Sequence, residues 1–366
     1  MDSQAPHSTL PVTPPTPQRK PLVRRTSADN SQFTRRIVQF AFLALNLWIG
    51  IQFLLWTRFF ETHGQSHYVS RPAGVDGWLP IAGLMNLKYF FTTRHIPAMH
   101  PAALVLIAIF LLSSLLLKKS FCSWLCPVGT LSEYLWKLGR KLFRRNGIVP
   151  RWLDIPLRGL KYLLLAAFIL LVASMSAAAL NSFLLAPFGI IADVKMLNFF
   201  RHIGPIGFFV LASFVLLSVF IQNFWCRFLC PYGALMGIVS AVSPVKIRRD
   251  AEACIDCGKC NKACPSHLPV DSLITIRSVE CTGCMECVAA CPAENALQFS
   301  LPPHAPSGNR DARWHNRALQ PRLVAAVLAI IFFGFIGLAR ATDHWQTNVS
   351  REIYMRLVPH ADEYGH

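Results

Sequence analysis

The sequence predicts an α-helical integral membrane protein with about five transmembrane helices, together with a small α+β domain that is rich in cysteine. Hydrophobic residues make up 53% of the 366 residues and charged residues 15%, against roughly 25% charged residues in a typical soluble chain. The apolar residues form long uncharged blocks, and a unit that joins one such block to a cysteine motif occurs twice. The 12 cysteines are grouped in short motifs.

Five apolar blocks are candidate transmembrane helices, because each approaches or exceeds the roughly 17–25 residues that a helix needs to cross a bilayer. They comprise residues 37–57, 96–117, 162–191, 203–225 and 323–339. The predicted organisation is a disordered, basic, proline-rich tail (1–36), a membrane domain with four spans (37–243), a cysteine-rich domain (244–300), a linker (301–321), a fifth span (322–340) and a C-terminal tail (341–366).

The distribution of basic residues predicts the orientation. Lys and Arg number six in residues 1–36, nine in 118–158 and ten in 223–321, but three in 61–99 and two in 181–204. Positive charge in short loops marks the cytoplasmic side. We therefore expect a multi-pass protein of the bacterial inner (cytoplasmic) membrane, with the N-terminus and the cysteine-rich domain in the cytoplasm and the C-terminus in the periplasm. The formal charge of +17 indicates contact with membrane lipid rather than nucleic acid, because the basic residues lie beside apolar blocks.

Two consecutive cysteine runs carry the strongest chemical signal. Each has the spacing C-x2-C-x2-C-x3-C-P, which is typical of a bacterial two-cluster ferredoxin-like domain with two [4Fe–4S] clusters, whereas zinc sites favour separated pairs of ligands. In such runs the fourth cysteine ligates the other cluster. The expected ligand sets are Cys254, Cys257, Cys260 and Cys291 for the first cluster, and Cys281, Cys284, Cys287 and Cys264 for the second.

The duplicated unit ends in a second motif, C-x3-C-P, at Cys122 and Cys126 and again at Cys226 and Cys230. The proline that follows each motif suits the first position of a helix, which places Cys126 and Cys230 at helix N-termini, where amide dipoles stabilise thiolates. The four cysteines predict either a third redox or metal site, with a metal, a cluster or a dithiol pair, or buried small side chains near helix breaks.

Three histidines are candidates for quinol proton transfer or haem ligation. His95 and His202 occupy matched positions before the second and fourth spans, and His100 lies close by. The alternative is a histidine at the membrane interface that contacts water.

The paired C-x3-C-P motifs, joined to the doubled run from Cys254 to Cys291, resemble the membrane polyferredoxin family that includes NapH, NosR-type and CcoG-type proteins. The resemblance covers roughly residues 37–340 and implies electron flow between the quinone pool, cytoplasmic donors and a respiratory redox partner. Two functions follow from it. One is a membrane-bound electron relay, such as the quinol dehydrogenase component of a respiratory complex. The other is an accessory or regulatory protein that supplies electrons for the maturation of a respiratory metalloenzyme.

Overall fold

The computed structural model describes residues 23–26, 29–144, 146–147, 149–302 and 318–364. Most of the predicted tail 1–36 and of the predicted linker 301–321 lies outside these residues. The described chain is mostly helical. Its helices are α1 (Ser31–Glu61), α2 (Pro80–Thr93), α3 (Pro101–Leu116), α4 (Ser120–Trp124), α5 (Pro127–Phe143), α6 (Arg151–Ser174), α7 (Ala177–Leu185), α8 (Pro187–Ile190), α9 (Ala192–Arg201), α10 (Pro205–Phe220), α11 (Pro231–Ser240), α12 (Lys259–Ala263), α13 (Glu286–Ala289), α14 (Pro321–Ala341) and α15 (Arg351–Leu357).

Three of the described helices are long and apolar enough to cross a membrane alone: residues Ser31–Glu61, Trp152–Ser174 and Pro321–Ala341. Helices α9 and α10 meet the same criterion only together, and they bend by 84° where they join. Helix α3 is apolar but has 16 residues, which is short for a span. By length and composition the described chain therefore offers three spans, or four if the bent pair counts as one.

The ferredoxin-like domain is built on a two-stranded antiparallel sheet of β1 (Lys246–Arg249) and β2 (Leu297–Ser300). Its buried side chains join those of α1, α4 and α14 in one core cluster, in which Phe299 and Trp124 are almost fully buried. We call the end of the helical domain that packs on this sheet the ferredoxin end. The opposite end, where α1 finishes beside Tyr354 of α15, is called the far end.

Residues 23–26 and 29–36 are more ordered than composition predicts. Helix α1 begins at Ser31, before the expected start at residue 37. Upstream, the backbone N–H of Arg25 donates to Pro292 O at 3.1 Å, and the N–H of Glu294 donates to Val23 O at 2.9 Å. This part of the predicted tail is structured because its backbone pairs with the end of the second cysteine run.

The third predicted span, 162–191, is displaced in the structure. Helix α6 starts earlier, at Arg151, and ends at Ser174, where Lys88 Nζ donates to Val172 O at 3.0 Å and to Ala173 O at 2.9 Å. The ammonium satisfies carbonyls that the helix end leaves free, and the backbone is extended at the C-cap, Met175. A new helix, α7, then begins with Ser176 as its N-cap.

Candidate functional site

The cysteine that precedes proline in each run lies beside the other run. Burial raises the pKa of Cys264, and the nearby thiol of Cys281 raises it further. Burial likewise raises the pKa of Cys291, which interacts electrostatically with Cys254 and Cys257. One small cavity is lined by four of the cysteines, namely Cys264, Cys281, Cys284 and Cys287. The structure thus brings together the residues of the second expected ligand set and places Cys291 with the first.

The second cysteine run packs against helix α4 of the helical domain. Gly283 adopts φ +64°, and a Cβ at this position would lie 2.8 Å from Ser120 Oγ of α4. A larger residue would be strained in its backbone and would push the loop away from α4. Ser123 Oγ of the same helix donates to Thr282 O at 2.7 Å, and Trp124 Nε1 donates to Gly283 O at 3.2 Å. The loop that carries Cys281 and Cys284 is therefore fixed on the segment that carries Cys122.

Each C-x3-C-P motif joins a short helical segment, which carries the first cysteine, to a helix that begins at its proline. Helices α5 and α11 start at Pro127 and Pro231, as the position of the prolines predicts, and Cys126 and Cys230 are their N-caps. The N–H of Gly233 donates to Cys230 Sγ at 3.3 Å. In the other copy, a Cβ on Gly129 would lie 2.1 Å from Cys122 O, so only glycine fits between the turn and the helix.

The four C-x3-C-P cysteines converge. Burial raises the pKa of Cys226 well above its usual value, and the thiols of Cys230, Cys126 and Cys122 raise it further. Burial is also the main cause that raises the pKa of Cys122 to about 11 and that of Cys126 to about 12. All four thiols are half-buried and have raised pKa values, so a cation or a cluster would be needed to stabilise them as thiolates.

One cavity of about 1000 Å³ connects these cysteines to the far end of the helical domain. All four C-x3-C-P cysteines line it, and so does Cys284 of the second ferredoxin run. Its walls are mainly aliphatic and aromatic, and they reach Arg71, Trp78 and Trp345 at the far end. The cavity therefore joins the two groups of cysteines by a largely apolar space.

Basic residues lie at or near the ferredoxin end of this cavity. Lys119 lines it with 3% of its surface exposed, and its ammonium has no hydrogen-bond or ion-pair partner among the described residues. Lys161 Nζ lies 2.6 Å from Glu280 Oε2, and Tyr162 donates to Oε1 of the same carboxylate at 3.0 Å. Burial alone would raise the pKa of Glu280, but Lys119 and Lys161 hold it below its usual value.

Arg35 of α1 links three parts of the protein near Cys284. Its guanidinium lies 2.6 Å from Glu133 Oε2 of α5 and 2.9 Å from Glu286 Oε1 of α13, and its side chain is fully buried. Lys137 contacts the same two carboxylates at 2.6 and 2.9 Å. Two cations therefore face two anions. Burial raises the pKa of Cys284 to about 11, whereas Arg35 lowers it.

The three candidate histidines are not brought together. His95 and His202 are exposed. His100 is buried, with Nδ1 3.0 Å from Asp76 Oδ1 and Nε2 2.9 Å from Gly189 O. A carboxylate and a carbonyl only accept hydrogen bonds, so both nitrogens donate and the ring is an imidazolium. It has no free nitrogen for haem iron, and it belongs to a buried charge network with Arg71, Asp76 and Asp193.

Sequence reasoning missed the residues Arg35, Lys119 and Arg71. Arg35 and Lys119 belong to the basic pairs Arg35-Arg36 and Lys118-Lys119 beside apolar blocks, whereas Arg71 stands alone. An ionisable residue close to an apolar block is the signal that could have identified Arg35 and Lys119. In the sequence, all three are among the Lys and Arg residues that indicate membrane orientation.

The cysteine geometry does not suit a single metal ion. Among the residues that the structure describes, no three His, Cys, Asp or Glu side chains are grouped closely enough to hold one ion. Tetrahedral zinc needs its sulfur ligands about 2.3 Å from one centre. A cubane cluster binds its four cysteines at separate iron atoms, so it requires a wider arrangement. Each expected donor set consists of four cysteines and no histidine, which fits an iron–sulfur cluster.

Family comparisons match both cysteine regions. A family described as a 4Fe-4S binding domain matches residues 99–146 and again 203–250, so it covers both C-x3-C-P motifs. A second family, described as a 4Fe-4S dicluster domain, matches residues 246–301. No solved structure matches the chain.

Similar proteins extend the match to nearly the whole chain. YccM of Escherichia coli, provisionally named for electron transport, is 52% identical over 337 residues, which cover 92% of this chain and 93% of YccM. The ferredoxin-type protein NapH of Haemophilus influenzae is 28% identical over 69% of this chain and 91% of its own length. The regulatory protein NosR of Pseudomonas aeruginosa is 30% identical over 49% of this chain but 24% of NosR. The chain therefore belongs to the membrane polyferredoxin family, the ferredoxin-type iron–sulfur proteins of membrane electron transport.

Proposed function

We propose that this protein relays electrons between the quinone pool and a respiratory redox partner, through two [4Fe–4S] clusters in the ferredoxin-like domain. The observation that carries the proposal is the cavity of about 1000 Å³ that joins an apolar, aromatic-walled space to Cys284 and to the four C-x3-C-P cysteines. Its size is at the upper end of the roughly 300–1,000 Å³ typical of small-molecule sites. An apolar quinone with a long tail matches such walls.

The chain's own residues would position and insulate the redox groups. Cys254, Cys257, Cys260 and Cys291 would hold one cluster, and Cys281, Cys284, Cys287 and Cys264 the other. A quinol gives up two electrons and two protons on oxidation, whereas each cluster, when bound, takes one electron at a time. Ser123 and Trp124 keep the second run at the cavity, and burial of Cys287 and Cys264 excludes water from it.

Reduction of the clusters by a quinol analogue tests this proposal. We expect anaerobic addition of duroquinol to the purified protein to bleach cluster absorbance. Leu45 of α1 lines the cavity, so Leu45→Trp should slow this reaction at least tenfold while dithionite still reduces the clusters fully. Leu47 lies on the same helix and is 65% exposed, so Leu47→Trp is the matched control and should react like the parent. Bleaching that is equal in all three proteins would contradict a quinone site in the cavity.

The membrane arrangement is part of the proposal. Five spans follow if α3 and α10, with their flanking residues, cross the bilayer together with α1, α6 and α14. The double match of one family to residues 99–146 and 203–250 supports a duplication of the helix and C-x3-C-P unit. The positive-inside rule places the ferredoxin end in the cytoplasm and residues 341–366 in the periplasm.

Reporter fusions test the orientation. An alkaline phosphatase fusion after Ala341 should be active, because this reporter works only in the periplasm, whereas a fusion after Phe299 should be inactive. A fluorescent reporter that folds only in the cytoplasm should give the reverse pattern at the same two sites. Phosphatase activity after Phe299 and none after Ala341 would invert the topology.

A further inference from the structure

Three aromatic rings join the two C-x3-C-P motifs along one wall of the large cavity. Phe121 directly precedes Cys122, and its ring stacks on that of Phe110 with the two centroids 4.0 Å apart. Tyr232 follows Cys230 and its proline, and its ring meets that of Phe110 edge to face at 6.2 Å. All three aromatic side chains line the cavity. A flat conjugated ring can therefore pack on aromatic surface beside the cysteines of both copies.

Tyr232 brings a polar group to this apolar wall. Its hydroxyl has no hydrogen-bond partner among the described residues, whereas Asn46, another polar residue of the wall, donates to Phe42 O at 2.8 Å. A Cβ on Gly83 of α2 would lie 3.2 Å from the Tyr232 hydroxyl oxygen, so glycine leaves the hydroxyl room at this contact. A hydroxyl without a partner in apolar surroundings is costly, so this one is suited to a ligand that supplies the missing hydrogen bond.

The two copies of the duplicated unit differ at this position. Val128 follows Pro127 in the first copy, where Tyr232 follows Pro231 in the second, and both Val128 and Tyr232 line the cavity. Valine offers no hydrogen bond, so at this position the second copy alone presents a hydroxyl. A few polar groups placed on an apolar wall fix the orientation of a bound small molecule. The difference between the copies therefore gives the ligand one preferred side of the cavity.

We propose that the Tyr232 hydroxyl forms a hydrogen bond with an oxygen of the quinone headgroup, and that this headgroup packs against the rings of Phe110 and Phe121. The inference rests on the proposed relay and deepens it, because it locates the headgroup within the cavity. A phenol hydroxyl both donates and accepts, so it can donate to a carbonyl of the quinone and can also pair with a hydroxyl of the quinol. Tyr232 keeps its own proton in both cases and acts as a substrate-binding residue.

This placement also orients the rest of the ligand. The headgroup lies on the part of the wall beside Cys122 and Cys230, in the segments that the 4Fe-4S family matches. The remaining cavity, which reaches Trp78 and Trp345 at the far end, then receives the apolar tail. The ring that exchanges electrons, rather than the tail, is therefore the part of the ligand next to the cysteines.

Reduction by duroquinol tests the hydrogen bond. The rate of cluster reduction at increasing duroquinol concentration gives a half-saturating concentration and a maximal rate. Tyr232→Phe should raise the half-saturating concentration about three- to tenfold, the usual effect of one lost hydrogen bond, and leave the maximal rate unchanged. Tyr232→Val, which gives the second copy the side chain of the first, also removes the ring and should raise it further.

Tyr134→Phe is the matched control for this experiment. The buried hydroxyl of Tyr134 also has no hydrogen-bond partner among the described residues, but Tyr134 lies on α5 outside the wall of the large cavity. Its replacement removes the same atom without touching the proposed site. Tyr134→Phe should therefore keep the half-saturating concentration of the parent, and all variants should keep the parent iron content and full reduction by dithionite.

Infrared spectroscopy supplies a measurement that does not depend on activity. A hydrogen bond lowers the C=O stretching frequency of bound duroquinone, and isotopic labelling of its carbonyl groups separates this band from those of the protein. In Tyr232→Phe the lowered band should move up toward the frequency of duroquinone in an apolar solvent, whereas Tyr134→Phe should keep the parent band. A parent band at the frequency in apolar solvent would overturn the inference without any variant.

The outcomes separate this inference from the relay itself. Equal half-saturating concentrations and equal carbonyl bands in the parent and Tyr232→Phe would reject the contact with Tyr232 and leave the relay intact, because both proteins are still reduced. A parent that duroquinol does not reduce, with a carbonyl band that shifts in Tyr232→Phe, would reject the relay and support the binding site. A higher half-saturating concentration in Trp78→Leu, with no change in Tyr232→Phe, would place the headgroup at the far end and overturn the inference.

Discussion

Cys264→Ala is expected to abolish the cluster of the second cysteine run and to spare the cluster of its own run. The reason is that Cys264 lines one cavity with Cys281, Cys284 and Cys287. The mirror variant, Cys291→Ala, should abolish the first cluster, because Cys291 lies beside Cys254 and Cys257. Each variant should lose about four iron atoms per chain.

Two reference variants make this result interpretable. Cys257 ligates the first cluster whether or not the fourth cysteines are exchanged between the runs, so Cys257→Ala removes a ligand of that cluster. In the same way, Cys284→Ala removes a ligand of the second cluster. The electron paramagnetic resonance spectrum of reduced Cys264→Ala should match that of Cys284→Ala and differ from that of Cys257→Ala. A match to Cys257→Ala instead would show that each run ligates its own cluster.

Arg35→Met is expected to lower the free energy of unfolding by about 3–5 kcal/mol, the usual effect of removing one partner from a buried ion pair. Among the described residues, the change leaves Glu133 and Glu286 with Lys137 as the one cation that pairs with both. It should also loosen the second cysteine run, since Arg35 joins α1 to α13. Unfolding in mixed micelles, followed by tryptophan fluorescence, measures the loss.

Arg36→Met is the matched control for this experiment. Arg36 is the next residue of α1, but it is exposed, so its replacement should change stability by less than about 0.5 kcal/mol. Restoring charge balance should recover part of the loss, so Arg35→Met/Glu133→Gln should be more stable than Arg35→Met alone. Equal stability of Arg35→Met and Arg36→Met would mean that the buried network contributes nothing.

The sequence was most informative where the chemistry depends on local spacing. The prolines after Cys126 and Cys230 predicted helix starts that the structure has at Pro127 and Pro231, because proline fixes the backbone whatever surrounds it. It was less informative where distant segments meet. The end of α6 contacts Lys88, which is far away in the sequence, and hydropathy alone extended that span too far.

The roles of the buried charges also depend on contacts between distant segments, so the sequence alone did not predict them. Lys119 and Arg35 are ordinary basic residues in a sequence count, and only tertiary packing makes one a cation facing a cavity and the other a link between three helices. His100 is a residue for which the sequence predicted a role that its contacts rule out. It was selected as a ligand because of its place before a span, but Asp76 and Gly189 occupy both of its nitrogens. Neither partner is close to it in the sequence.

The pairing of residues 23–26 with the end of the second cysteine run has a consequence for biosynthesis. The ribosome completes Val23 and Arg25 long before it reaches Pro292 and Glu294, so these hydrogen bonds form only after almost the whole chain has been made. Closing so long a loop is among the last events of folding. The N-terminal segment therefore cannot pair beside Cys291 until the second cysteine run has been synthesised. A tag fused close to Val23 would consequently disturb hydrogen bonds to Pro292 and Glu294, at the other end of the sequence.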